Sequence, residues 1–259
     1  LFGGGSRAMR LNALAVLWVA SAWTPAEACC KREFLERHNI STTLAVSAVN
    51  RSKSEGILAQ LAAAWSHVPP HMHSALHLEF GVRDGGSTRF LANLTGPAVR
   101  WDAFDSFEGL PESGGPGLRG WQKGSFSRHG KLPEVPAHVR LHKGWFNETV
   151  PPFLDAELAA DPRRAIAYMN MDADLYSSTK TIFDAVFSRC MHRRGTVITF
   201  DELFGTAAIL EHEWRALMEA QKEHGFTFHF ISYFITTASS FVRAAIQLDE
   251  CGTRCASTC

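Results

Sequence analysis

The amino-acid sequence predicts one large α/β domain built on a mostly parallel sheet with helices on both faces. Three observations point there. The chain has 259 residues and 46% apolar content, enough for one sizeable core. Its middle alternates short apolar runs with helical or looped crossovers, as parallel strand pairing requires. Glu79, Asp105, Asp172, Asp174, Asp201 and Glu202 fall at or just past the carboxyl ends of those runs, the edge where ligands gather in such sheets.

Residues 31–70 carry helical patterning, with Ile57, Leu58, Leu61, Ala62 and Trp65 on one face and Pro69-Pro70 as the stop. The period then changes. "ALHLEFGV" (75–82) reads as a first strand, and "GVRDGGSTRFLANL" turns through glycines into a helix. "AVRWDAFDSF" (98–107) is a second strand. A glycine-rich loop, "PESGGPGLRGWQKGSF", precedes the third, "HVRLHKGWF" (138–146). "RAIAYMNMD" (164–172) is the fourth, followed by a helix from Ser177 to His192. "GTVITFDEL" (195–203) is the fifth, followed by a helix around Glu211 to His224. "FTFHFISYF" and "SSFVRAAIQL" close the domain as neighbouring strands. The expected divisions are 1–28 (upstream residues and a signal peptide), 29–70 (helical), 71–248 (the main domain) and 249–259 (a cysteine-containing tail).

The expected signal rests on Met9-Arg10, the apolar stretch Leu11 to Ala22, and the small-x-small pair Ala26 and Ala28 before Cys29. This stretch is short of the roughly 20 residues that a bilayer requires, so no stable membrane span is expected. Four of the six asparagines head glycosylation sequons, at Asn39, Asn50, Asn93 and Asn147. Five of the six cysteines lie near the termini, which favours disulfides over zinc. Together these predict a secretory route. A formal net charge of zero disfavours nucleic acid, and the pairs Arg163-Arg164 and Arg193-Arg194 read as solvated turns. The pattern leaves room for a homo-oligomer.

In "LEFGVRDGGS", Glu79 and Gly81 precede Gly85, Gly86 and Ser87 at a helix start, where glycines admit a ligand to the backbone and free N–H groups favour an anion. The spacing departs from the dinucleotide fingerprint. Asp105, at the end of the second strand, suits a ribose diol. Together they describe a nucleoside-bearing cofactor pocket. Taken singly, Asp172 or Asp174 would also serve as a helix cap, and Asp201 and Glu202 would suit a helix's first turn. Four acids at two adjacent strand ends favour a shared site.

The blocks "EFGVRDGGS", "FDSFEGLPE", "KGSF", "VRLHKGWFNETVP", "MDADLYSSTKTIFDAV" and "GTVITFDEL" resemble, in order, the signatures of the macrocin O-methyltransferase family of class I S-adenosylmethionine-dependent enzymes, over roughly residues 75–220. The resemblance implies a Rossmann-like, seven-stranded sheet with a reversed final strand. It also implies magnesium-dependent methyl transfer to a hydroxyl, often on a sugar. By motif it places Glu79, Gly81, Gly85 and Ser87 around the methionine moiety, Asp105 and Ser106 on the ribose side, and Gly144 and Trp145 near the adenine. It makes Asp172, Asp201 and Glu202 metal ligands and Asp174 the general base. Glu202 stands where several relatives carry aspartate, and a secretory address departs from the family's cytoplasmic bacterial members.

That chemistry is physically coherent. A divalent cation lowers the pKa of an alcohol, magnesium prefers oxygen ligands, and a separate carboxylate takes the proton. The acceptor is expected to be a small molecule or glycan hydroxyl bound by the loop from Pro111 to Pro136 and the N-terminal helices. His212 reads as surface or packing and Trp214 as core. A cofactor-binding module without turnover and a nicotinamide-dependent oxidoreductase are the rival readings.

Overall fold

The computed structural model describes residues 31, 33–46, 52–235, 241–257 and 259. The expected leader, Cys29-Cys30 and Asn50 lie outside these residues. Helix α1 (Lys53–Trp65) begins with a capping box, in which the Ser52 hydroxyl accepts from the Glu55 N–H and the Glu55 carboxylate accepts from the Ser52 N–H. Strand β1 (Leu76–Phe80) then leads into helix α2 (Gly86–Thr95), strand β2 (Trp101–Asp105) and, after a long loop, strand β3 (Val139–Lys143). Helix α3 (Phe146–Ala160), strand β4 (Ile166–Met171), helix α4 (Tyr176–Ser188) and strand β5 (Val197–Gly205) follow. Helices α5 (Ala207–Leu210) and α6 (Glu213–His224) precede strands β6 (Thr227–Ile235) and β7 (Phe241–Glu250).

The seven strands lie in the order β3-β2-β1-β4-β5-β7-β6. The first five pair in parallel, while β7 runs antiparallel to both β5 and β6. This is the expected class I methyltransferase arrangement with its reversed strand. Strands β1, β4 and β5 are buried along their whole lengths, as helices on both faces of a sheet demand. One core face is built on Phe80, Met169, Met171 and Ile198, packed under α4 through Phe183 and Phe187. The other is built on Trp101, Tyr168 and Val197, packed under α1 and α2 through Leu61 and Leu91.

Four local features differ from the sequence expectation. The third strand stops at Lys143 and Trp145 caps the 15-residue helix α3, which the proline pair had hidden. Pro151 and Pro152 have no N–H to offer the carbonyls of Asn147 and Glu148, but both of those residues are exposed, so their carbonyls are not left buried without a donor. Helix α4 ends at Ser188, because Cys190 takes a left-handed φ of 51° and the chain turns to bury His192 between Phe187 and Phe226. The helix expected around Glu211 breaks at His212, whose ring is held from two sides. Strand β5 runs to Gly205, two residues beyond the expected end at Leu203, so Asp201 and Glu202 lie inside it.

Among the described residues, the disulfide Cys190–Cys255 ties the tail to the domain and Cys251–Cys259 closes a loop within the tail. Trp214 packs partly buried against the core with its ring edge toward Phe34.

Candidate active site

Strand register assembles the site. Phe104, Phe80, Met171, Phe200 and Ala244 face one another across β2, β1, β4, β5 and β7. One residue further on, the four parallel strands carry Asp105, Gly81, Asp172 and Asp201, and the antiparallel strand carries Arg243. An apolar row thus seals the sheet, and a row of chemistry lies on its edge. The chain leaves β1 toward β2 but resumes at β4 on β1's other side, so this row straddles the topological switch point where open α/β sheets bind ligands.

On the β1–β2 side, Asp105 organises the turn. Its Oδ2 accepts the N–H groups of Val82 and Arg83, each at 2.8 Å, and its Oδ1 accepts that of Phe107 at 2.6 Å. A carboxylate has about four acceptor positions, so Oδ1 has capacity for another donor. Gly81 has φ +92°, and a Cβ there would lie 1.9 Å from the carbonyl oxygen of Asp172. Only glycine lets the turn after β1 lie against the end of β4. Glu79 is fully buried, with Oε1 accepting from Ser87 Oγ at 2.5 Å and Asn170 Nδ2 at 3.0 Å. Burial raises its carboxyl pKa, partly offset by these hydrogen bonds.

A cavity of about 900 Å³ opens over this edge. Of the eight expected cofactor residues, Gly81, Asp105, Ser106, Gly144 and Trp145 line it, whereas Glu79, Gly85 and Ser87 stand behind the turn. Gly85, left-handed at φ 71°, caps α2. The Ser106 hydroxyl accepts from Glu108 N–H at 3.1 Å and donates to the Gly109 carbonyl at 3.3 Å.

The acids occupy the other half of the same cavity. Asp172, Asp174 and Glu202 bring carboxylate oxygens within 4.8 Å of one another. Asp201 lines the same wall but is ion-paired with Arg243. The expected ligand Asp201 therefore faces a guanidinium, and the expected base Asp174 sits within the carboxylate cluster. Burial, followed by the charge of Asp174, pushes the Asp172 carboxyl well up, and Glu202 rises for the same reasons. Asp174 is pushed up to about 7, by burial and then by Asp105. It thus responds to both halves of the cavity, and it adopts a left-handed φ of 58°.

Three functional candidates escaped the sequence reading. Glu213 is fully buried beside the cluster and accepts the Glu202 N–H at 3.3 Å. Arg243, the one charge in β7 ahead of Asp249 and Glu250 at its end, has its pKa lowered to about 10 by burial and supported by Asp172 and Asp174. Lys53 lines the cavity and lies 5.6 Å over the Phe241 ring. The strand charge of Arg243 was a readable signal. Glu213 had none, since a first-turn acid is ordinary helix chemistry.

The loop after β2 folds back over the cavity. Leu110, Leu118 and Trp121 join Leu175 and Ile209 in a small separate core. His212 fastens it: Nδ1 accepts the Tyr176 N–H at 3.1 Å, and Nε2–H donates to the Gly114 carbonyl at 3.1 Å. Those two bonds require the neutral ring, and burial lowers its pKa accordingly.

Residues 78–203 match the family model described as a methyltransferase domain. Among solved structures, the calicheamicin methyltransferase CalS11 is 20% identical, with 95% of each chain covered and a TM-score of 0.56. The O-methyltransferase NovP is 18% identical over 92% of this chain and all of its own, with a TM-score of 0.51. No curated protein sequence matches. Residues 78–203 thus match a methyltransferase domain, and the fold is that of class I methyltransferases.

Proposed function

We propose that this methyltransferase moves the methyl group of S-adenosylmethionine onto a hydroxyl of a diol-bearing acceptor, such as a sugar or glycan, with Mg2+ or a similar cation held beside the acceptor. One observation carries the reading: a single cavity holds the Gly81–Asp105 turn on one side and the Asp172, Asp174 and Glu202 carboxylates on the other. Its volume of about 900 Å³ lies in the range of ligand sites.

The donor set fits a divalent cation. Glu202 Oε2 is buried with no hydrogen-bond partner, and three mutually repelling carboxylates share one small volume. Asp172 and Glu202 would hold the ion, whose chemistry is to lower the pKa of the acceptor hydroxyl. Asp201 and Arg243 neutralise one another on the wall behind. Asp174, between the cofactor half and the acid half, accepts the hydroxyl proton on a carboxylate oxygen as the C–S bond breaks and the O–CH3 bond forms. Asp105, with Ser106 beside it, accepts from the cofactor ribose, and Gly144 and Trp145 flank the adenine. Glu79 and Ser87 act from behind, holding the turn against Asn170.

The catalytic unit is proposed to be residues 71–248, preceded by the helical segment and followed by the tied-back tail. Two disulfides among the described residues, together with exposed Asn39 and Asn93, support the secretory-route expectation. Calorimetry with S-adenosylmethionine and Mg2+, on wild type and Asp172→Asn, tests the proposal. Wild type should bind both, and the variant should keep the cofactor and lose the cation. Absence of cofactor binding overturns the reading.

A further inference from the structure

The two arginine pairs that the sequence presents as separate solvated turns meet at one cavity. Each pair immediately precedes a strand: Arg163-Arg164 leads into β4, and Arg193-Arg194 leads into β5. Because β4 and β5 are parallel neighbours, their entry turns lie side by side, and Arg193 Nη2 donates to the Arg163 carbonyl at 3.3 Å. The cavity between them is about 390 Å³, with His71 and Ser74 on its walls. It lies at the amino ends of the strands, across the sheet from the acid row.

Its charge is unbalanced. Four arginines line it, together with Cys259, against a single acidic side chain, Asp161, although the whole chain is neutral. Asp161 Oδ1 already accepts the Arg163 N–H at 3.0 Å. Arg164 is paired with Glu157 at 3.3 Å and lies 4.0 Å from Asp161. Among the described residues, no carboxylate forms an ion pair with Arg163, Arg193 or Arg194. Arg193 is half-buried, and its Nη1 donates only to the carbonyls of Cys190 and His192. Burial lowers its pKa with no acid to offset the cost. A half-buried guanidinium that neighbours two free ones calls for an anion.

We propose that this cavity is a second binding site, for a sulfate or phosphate ester carried on a sugar. Tetrahedral oxyanions match the planar donor fork of arginine. The volume far exceeds one such ion, whose share is on the order of a few tens of Å³, like the ~30 Å³ of a water molecule, so a carrier sugar is accommodated. His71 and Ser74 supply polar wall atoms for its hydroxyls. The site does not depend on methyl transfer, since none of its residues touches the cavity over the acid row.

The test is calorimetry at low salt with four probes: inorganic sulfate, inorganic phosphate, a monosaccharide sulfate and the matching monosaccharide phosphate. Wild type and the double variant Arg163→Gln/Arg194→Gln are compared. Both arginines are exposed, so the variant should melt at the wild-type temperature, and Arg193 keeps its backbone contacts. Saturable wild-type binding of either ester, tighter than its inorganic ion, weakened about tenfold or more in the variant and by raised salt, supports the site. The better ester identifies which anion the carrier bears. Absence of binding by all four probes, or equal binding by wild type and variant, overturns the proposal.

Discussion

Gly81→Ala probes the contact on which the whole cavity depends. A methyl group here lands 1.9 Å from the Asp172 carbonyl oxygen and 2.8 Å from its carbonyl carbon, both of them backbone atoms that have no rotamer escape. The end of β4 must shift, which disturbs the bond from Asp172 N–H to the Phe80 carbonyl, now 2.8 Å. The positive φ costs about 1–2 kcal/mol for a residue with a Cβ. Overpacking adds about 1–3 kcal/mol. A loss of roughly 2–5 kcal/mol follows, read as a lower midpoint of urea unfolding at unchanged slope. S-adenosylmethionine affinity should fall by about tenfold or more, because the turn and the acid row move together. Gly86→Ala is the matched control from the same motif, since nothing lies within 4 Å of its Cβ position. It opens α2, where alanine is a better helix former, and should leave stability equal or slightly higher. A Gly81→Ala protein within about 1 kcal/mol of wild type, with cofactor affinity unchanged, would refute the reasoning.

Other substitutions separate the remaining parts. Asp172→Asn should abolish saturable Mg2+ binding, whereas Asp174→Asn should retain cofactor binding and lose methyl transfer by about 100-fold or more, as loss of a general base does; equal defects in both would remove the division of roles. His212→Ala frees the loop from Gly114 and Tyr176 and should raise acceptor KM more than it lowers cofactor affinity, checked by steady-state kinetics. His77 is fully buried among Trp65 and Trp101, with its pKa lowered to about 4 by burial. The unfolded chain then binds the proton more readily from pH 6.5 down to about 4, so stability falls with pH through that window. His77→Phe should remove about 2 kcal/mol of the loss between pH 7 and pH 5, measured by urea unfolding. Asn147 lines the cofactor cavity, so peptide mapping of secreted protein should find Asn93 glycosylated and Asn147 bare.

The sheet was readable because its central strands β1, β4 and β5 are buried along their lengths and its acids cluster toward their carboxyl ends. Asp172 and Asp201 follow Met171 and Phe200, which pair directly, so two distant motifs met as the sequence implied. What sequence patterning missed depends on three-dimensional neighbours. Helix α3 was masked by Pro151-Pro152, whose cost falls on exposed carbonyls. Arg243 reached Asp201 through antiparallel register, which needs the pairing of β5 with β7 to be known. Glu213 became a site residue only because the chain breaks at His212 and restarts its helix against Glu202. The arginine pairs looked like surface turns because each alone is one. Parallel pairing of the strands they introduce makes them a cavity.

Transfer of label from methyl-labelled S-adenosylmethionine to a panel of sugars and glycans, with Mg2+ and with a chelator, tests the central claim most directly. The account predicts a product that gains one methyl on a hydroxyl, formed with Mg2+ and lost on chelation, and absent with Asp174→Asn. Label transfer that is indifferent to chelation and undiminished in Asp174→Asn would contradict it.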